Sequence, residues 1–469
     1  MEKKQNSTRD KIIQSAFSFY DMLFFERISL SKIAAKAGIT KPAIYKHFKS
    51  REDLENAMKS LILSDIAEII KGCEKDKNET SIIKKVIVLL CKKKSYFYFT
   101  LSNSLEFSID NFLIEIKKHG VSDLNLENIF DNYGSIVDIE IYKKIIFVSG
   151  TMIFFQGARD FILLDKNLQD SDESIQEYAE KLSSFIVSGG LGQDIKETDA
   201  LRLSQLDILC SKEIQSLKAP CKFFTAIGNV VRRVGFSKTT IEELAKELGL
   251  AKSSLYTNFS SKKEMFEALK KEECLNLFHV IKKNLLYAKN SAECVYIFME
   301  TEIEFFLKRR GLLYVCRWLL FQNSKNDFKI KSMHEKREKT IGKDELLDFT
   351  AFILNADIIT QIPDFGTPKM NMQIMFSWIF QMPIFFLLHS ELHNFPEESV
   401  HAAIKDFFYC MERGINFIDN KENNISLVLM KTPRGNGSFS EACHNTVQEI
   451  ADSNNLIFLD FNEKTLFDE

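Results

Sequence analysis

Residues 33–51 read Ile33-Ala34-Ala35-Lys36-Ala37-Gly38-Ile39-Thr40-Lys41-Pro42-Ala43-Ile44-Tyr45-Lys46-His47-Phe48-Lys49-Ser50-Arg51. The apolar positions before Gly38 fall at helical spacing and predict a short helix over residues 30–37. Gly38 supplies the left-handed residue that ends it. A new helix starts three residues later, predicted over residues 41–48, with Thr40 in position to cap it. Two short helices around a glycine turn have helix-turn-helix spacing, here over residues 29–48.

The pattern recurs 211 residues further on, where residues 11–59 align with residues 222–270 without a gap. Identical pairs include Phe25/Phe236, Ala34/Ala245, Gly38/Gly249, Lys41/Lys252, Tyr45/Tyr256, Phe48/Phe259 and Ser50/Ser261. Ahead of the turn, Ile12, Ala16, Phe19, Tyr20 and Leu23 share one helical spacing with Phe223, Ile227, Val230, Val231 and Val234. The second copy predicts helices over residues 241–248 and 252–259 around Gly249, opened by a Thr240/Glu243 capping box. Its helix-turn-helix spans residues 240–259. Further on, Phe155/Phe380, Gln156/Gln381, Phe161/Phe386, Leu163/Leu388, Glu173/Glu398 and Gly189/Gly414 pair at an offset of 225. The growth from 211 to 225 places 14 extra residues in the middle of the second copy, around residues 323–367. The chain is two diverged units, residues 1–197 and 218–422, plus a tail.

The composition agrees. Of 469 residues, 45% are hydrophobic and 41 are Phe, against 7 Pro and 18 Gly, which excludes a disordered chain and favours long helices. The fold class expected is all-α. Nine cysteines without a C-x-x-C pair argue against a disulfide framework and a thiolate zinc site, and fit a cytoplasmic location. The N-terminus has no apolar signal region. Residues 370–390 lack Asp, Glu, Lys and Arg, but Gln373, Ser377 and Gln381 recur every fourth position, marking one face of a buried helix. No membrane partner is expected.

Residues 41–51 hold Lys41, Lys46, Lys49 and Arg51 without an acid, and residues 251–263 hold Lys252, Lys262 and Lys263, again without one. In a chain of net charge −3, two such faces at helix N-termini suit phosphate contacts. Their recurrence at equivalent positions favours double-stranded DNA over an ordinary solvated face.

The first stretch and its second copy, Leu244-Ala245-Lys246-Glu247-Leu248-Gly249-Leu250-Ala251-Lys252-Ser253-Ser254-Leu255-Tyr256-Thr257-Asn258-Phe259-Ser260-Ser261-Lys262, both resemble the TetR/AcrR-type transcriptional regulators. The resemblance implies, in each copy, a three-helix DNA-binding domain joined to a helical ligand-binding and dimerisation domain. It divides the chain into heads at residues 6–66 and 218–277, bodies at 67–197 and 278–422, a helical linker at 198–217 and a tail at 423–469. Carried over by position, Tyr45, His47 and Arg51, with Tyr256, Asn258 and Lys262, match phosphate-contacting positions. Base edges would be read from Lys41, Pro42, Ala43 and Lys46, and from Lys252, Ser253, Ser254 and Thr257. Thr40 and Lys49 complete the DNA-binding set. Ala251 stands where the family commonly has a capping Ser or Thr, a loss of about 1 kcal/mol that makes the second copy the weaker reader. Phe24 stands where the family commonly has Gly.

The resemblance further implies a regulator, not an enzyme, acting as an effector-responsive repressor. The matching dimer helices are residues 144–164 with 174–188, and 369–389 with 398–413. They pair either within one polypeptide, as a pseudo-dimer, or between two chains in a homodimer with four heads. A helix over residues 198–217 reaches roughly 30 Å and would return the chain to the DNA face. Two unlike heads imply an imperfectly palindromic operator. Tyr96-Phe97-Tyr98-Phe99, with Phe305, Phe306, Trp318 and Phe321, line either a pocket for a lipophilic effector or, the commoner role of such residues, the core. His389 and His393, with His401 nearby, have metal-ligand spacing, but the order is not H-E-x-x-H, and a helix-end surface feature without metal is expected.

The tail predicts strands at residues 425–430 and 456–461 flanking a helix at 440–451. Between them Thr432-Pro433-Arg434-Gly435-Asn436-Gly437-Ser438-Phe439-Ser440 resembles the first β-α-β unit of flavodoxin-like NADPH-dependent FMN reductases. That resemblance implies a flavin phosphate loop at Arg434, Asn436, Ser438 and Ser440, with FMN as the cofactor. About 45 residues stand where such a fold needs about 150, so a remnant is expected. A flavin-linked redox regulator is the second functional reading.

Overall fold

The computed structural model describes residues 7–20, 29–73, 79–103, 109–122, 139–165, 168–190, 200–219, 222–234, 239–258, 262–313, 365, 368–392 and 395–415. No strand occurs among them, and the all-α class follows. The predicted tail, the extra residues of the second copy (Phe365 apart) and Phe24 lie outside the described residues.

The first head is α1 (Thr8–Phe17), α2 (Leu30–Ala37) and α3 (Lys41–Ile44), followed by the long α4 (Arg51–Gly72). Ser7 and Asp10 cap each other's backbone at the start of α1, and Ser50 Oγ accepts from the Asp53 amide to open α4. The apolar faces meet in a small core of Ile12, Ile13, Ala16, Phe17, Ile33, Ala34, Ile44, Phe48, Leu54 and Met58. Helix α1 stops six residues short of the predicted Leu23. The Ser18 amide still closes on the Gln14 carbonyl, but a turn follows and leaves Phe19 and Tyr20 half-buried. The first body adds α5 (Glu79–Lys92), α6 (Lys94–Asn103), α7 (Ile109–Lys118), α8 (Ile139–Asp165) and α9 (Asp172–Ser188).

After α10 (Ala200–Ser216), the second copy repeats the order as α11 (Lys222–Val234), α12 (Ile241–Leu248), α13 (Lys252–Asn258), α14 (Lys262–Asn284), α15 (Ser291–Lys308), α16 (Pro368–Leu392) and α17 (Glu397–Arg413). The packing repeats too. Helix α1 lies on α2, α4 on α5 and α5 on α9 in the first copy; α11 lies on α12, α14 on α15 and α15 on α17 in the second. Helix α10 covers the predicted linker but is no free spacer. It packs on α14 and α15 with Leu203, Leu206, Cys210 and Ile214 buried, and its Arg202 reaches Glu293 at 2.9 Å and the Tyr287 carbonyl at 2.7 Å.

The two copies join through α8 lying along α16 and α9 meeting α17. These are the four helices that the resemblance assigns to a dimer interface, each found within five residues of its expected bounds. Phe147 meets Trp378 and Phe154 meets Phe385 edge-on, and the Trp378 indole donates to Thr151 Oγ1 at 2.9 Å. The Lys143 ammonium bonds Asp406 at 2.8 Å with both side chains buried. At the far end the helix termini meet backbone to backbone. A Cβ on Gly189 would lie 2.4 Å from the Glu412 carbonyl, and one on Gly414 would lie 1.8 Å from the Val187 carbonyl. The contact is reciprocal, because 187 and 412, like 189 and 414, are aligned positions. The Gly190 amide donates across it to the Met411 carbonyl at 2.9 Å. Helices α8 and α16 are each long and apolar enough to cross a membrane, yet most of each is buried inside the protein. The Gln381 amide bonds Ser377 Oγ at 2.6 Å on the less buried face, as the every-fourth-residue pattern predicts.

One expectation fails here. His389 is no surface feature: it is fully buried in the joint, 3.0 Å from the Tyr142 hydroxyl, with its ring against Phe385. Helix α16 continues past it to Leu392, so the residue lies inside the packed face rather than at an end. His393 lies outside the described residues. His401 sits half-buried on α17, where it meets Glu300.

Candidate nucleic-acid interface

The predicted turn forms twice with the same geometry. Gly38 has φ 71 and ψ 29, and Gly249 has φ 67 and ψ 26. The following amides of Ile39 and Leu250 close on Ala34 and Ala245 at 3.0 and 2.9 Å. An L side chain rarely adopts that backbone, so glycine ends the first helix and aims the second.

In the first head Ile44 and Phe48 are fully buried, and the Arg9 guanidinium lies 4.8 Å over the Phe48 ring. These anchors leave Thr40, Lys41, Pro42, Tyr45, Lys46, His47 and Lys49 exposed and Ala43 half-buried. Tyr45 is 48% exposed, unusual for so large a ring. Arg51 opens α4 and bonds Glu55 at 2.6 Å. Helix α3 is shorter than the predicted span, continuing as turns through His47 so that Phe48 reaches the core. Thr40 occupies the capping position, but its side chain makes no cap bond.

In the second head Leu255 takes the place of Ile44 in the core, and Lys252, Ser253 and Ser254 are exposed. Tyr256, Thr257, Asn258 and Lys262 lie on helices, with their side chains outside the description. Thr240 Oγ1 accepts from the Glu243 amide at 3.2 Å, while the Glu243 carboxylate faces Arg233 at 3.3 Å. Only this half of the expected capping box is seen. Since Thr40 makes no cap bond, Ala251 does not distinguish the two heads.

Charge does distinguish them. Residues 29–51 contain Lys32, Lys36, Lys41, Lys46, Lys49, Arg51 and no acid, whereas residues 240–262 set Lys246, Lys252 and Lys262 against Glu242, Glu243 and Glu247. The structure pairs Lys252 with Glu242, and Arg233 with Glu247 at 2.8 Å. The Lys252 bond holds the Glu242 carboxyl below its usual range, and the Arg233 bond does the same for Glu247. Ser31, Lys32 and Lys36 occupy the equivalent positions in the first head. Acids of α12 thus answer Lys252 and Arg233 of the second head. The signal was present at aligned positions just upstream of the acid-free window.

The first head rests on aromatic packing. Phe17 meets Tyr96 at 4.9 Å and Phe99 at 5.7 Å, and Tyr20 meets Phe99 at 5.2 Å. Tyr98 donates to buried Asp160 at 2.9 Å. These residues are core, as are Phe305 and Phe306; Trp318 and Phe321 lie outside the described residues. In the second copy α11 presses on the chain beyond α15, where a Cβ on Gly311 would lie 2.0 Å from the Phe224 carbonyl.

A family model described as "Bacterial regulatory proteins, tetR family" matches residues 25–58 and 228–269, which take in the whole of both helix-turn-helix stretches. Both heads are therefore of the TetR type, in two tandem units. The chain is also similar to the nucleoid occlusion factor SlmA of Haemophilus ducreyi, 30% identical over 114 residues, which are 24% of this chain and 56% of that protein. It thus spans about half the length of this curated relative.

Proposed function

We propose that the chain is a sequence-specific DNA-binding transcriptional regulator that works as a single-chain pseudo-dimer. Its heads, residues 6–66 and 218–277, read the two halves of one double-stranded operator, and its bodies, residues 67–197 and 278–422, supply the joint. The observation that carries this reading is the reciprocal contact of Gly189 and Gly414, in which aligned residues of the two copies meet as two subunits of a symmetric dimer would. The Lys143–Asp406 pair adds a preference for unlike copies. Its aligned counterparts are Pro368 and Lys181. Pairing two second-copy bodies would set Asp406 against Pro368 and bury the carboxylate without that cation, a costly state.

Within this reading Thr40, Lys41, Pro42, Ala43, Tyr45, Lys46, His47, Lys49 and Arg51 form the dominant contact. Lys252, Ser253, Ser254, Tyr256, Thr257, Asn258 and Lys262 form a weaker one, because Lys252 must leave Glu242 to reach DNA. A lipophilic effector acts on the bodies and shifts the population of head orientations through the α1–α6 aromatic contact, releasing DNA in the manner of a repressor.

Selection of bound sites from a random DNA pool with the purified chain tests the assignment. The expected site is an imperfect palindrome whose half-sites lie one helical turn, ~34 Å, or more apart. A perfect palindrome counts against the pseudo-dimer. Tyr45→Ala is expected to weaken binding about tenfold and Tyr256→Ala less; unchanged binding in both removes these helices from the interface. Light scattering of the free chain should return 54.2 kDa, and twice that mass would favour the homodimer with four heads.

A further inference from the structure

The second body holds a group of side chains that DNA binding does not use. Glu300 and Glu304 lie one turn apart on α15, and His401 faces them from α17. His401 Nδ1 lies 2.7 Å from Glu300 Oε1. One atom from each of the three residues falls within 4.8 Å of the others. Glu300 is fully buried, and its second oxygen, Oε2, has no hydrogen-bond partner. A buried carboxylate oxygen left in that state is costly unless something else occupies it.

The surroundings favour a cation. Asp207 also faces the group, but its carboxylate is taken by the Tyr296 hydroxyl and by Lys405 at 2.6 Å. That leaves two glutamates against a single imidazole. As it stands, the Glu300–His401 contact ties α15 to α17. We propose that Glu300, Glu304 and His401 form a binding site for one divalent transition-metal ion of the zinc or manganese kind. An imidazole nitrogen with two carboxylates suits such ions, whereas magnesium and calcium prefer all-oxygen shells. Neighbouring ligands around a tetrahedral ion at ~2.05 Å stand ~3.3 Å apart, so a rotamer adjustment of half-exposed Glu304 draws the group together. Binding releases a proton from the imidazole when that ring is charged, and Oε2 of Glu300 gains a partner. The ion replaces a hydrogen bond between the central helix of the second body and a helix of the joint.

The site belongs to one copy. Carried to the first copy at the offsets above, the three positions are Leu89, Lys93 and Gln176, which offer no ligand set. The full chain, stripped with EDTA, should therefore bind one ion and not two when titrated with manganese chloride in a calorimeter. Cobalt chloride should develop d–d absorption without the thiolate charge-transfer band that binding at cysteines would give. Glu304→Gln and His401→Gln should each weaken binding at least tenfold while keeping the helical circular dichroism of the parent. The ion should raise the melting temperature of the parent but of neither variant. Absence of binding, binding undiminished in both variants, or a thiolate band as the sole signal would overturn the site. These readouts need no DNA, so they fail or succeed separately from the operator experiment.

Discussion

Replacing Gly414 with alanine should cost the folded chain about 2–6 kcal/mol, read as a fall in the denaturant midpoint at unchanged slope. Two effects add. Gly414 has φ 82 and ψ 175, a region essentially reserved for glycine, and forcing another residue there costs about 1–3 kcal/mol. The new methyl would also lie 1.8 Å from the Val187 carbonyl. That is backbone in a packed helix end, so the α9 and α17 termini must part rather than a side chain turn aside, at about 1–3 kcal/mol or more. Gly189, at φ 70 and ψ −164, faces the Glu412 backbone at 2.4 Å and should behave alike. A loss below about 1 kcal/mol in either variant would show that the two copies do not meet through these termini.

The second large effect belongs to the buried pair across the joint. Lys143→Met should destabilise the protein by about 3–5 kcal/mol, because it leaves the Asp406 carboxylate buried without that cation. The double variant Lys143→Met with Asp406→Leu should recover most of that loss, since two well-packed apolar side chains replace a pair whose attraction does little more than offset its desolvation. Equal losses in the single and double variants would mean that the pair contributes through shape rather than charge. The same experiment bears on partner choice: the double variant removes the asymmetry between copies, and its solution mass should shift toward larger assemblies if the ion pair enforces unlike pairing.

Much of the architecture was legible in the sequence, for reasons visible in particular residues. Gly38 and Gly249 announce their turns because a left-handed backbone tolerates little else, and the structure places both there. The joint helices were legible through the family resemblance, which assigns them to a dimer interface, with aligned pairs such as Phe155/Phe380 and Gly189/Gly414 marking them in both copies. Where the reading failed, a contact between distant elements intervened. The periodicity through Phe19 and Tyr20 extends α1 on paper, but the Tyr20 ring packs on Phe99 of α6 and the Phe19 ring lies under Lys36 of α2. Thr40 has the residue type and position of a cap but makes no cap bond. His389 looked terminal because the sequence near it turns polar, yet α16 carries it into the joint.

The sequence alone therefore determined that the chain is helical, that it is a duplication, and where its two glycine turns fall. Each of these follows from patterns spanning a few residues, or from comparing one half of the chain with the other. Only the tertiary structure showed that α8 lies along α16 and α9 meets α17, that Lys252 pairs with Glu242 where the first head has Ser31 at the aligned position, and that Glu300 shares His401. Those outcomes rest on desolvation and Coulomb energies between groups brought together from separate elements, at separations from ten to more than two hundred residues. Such terms depend on distance and burial, which residue type and spacing do not encode.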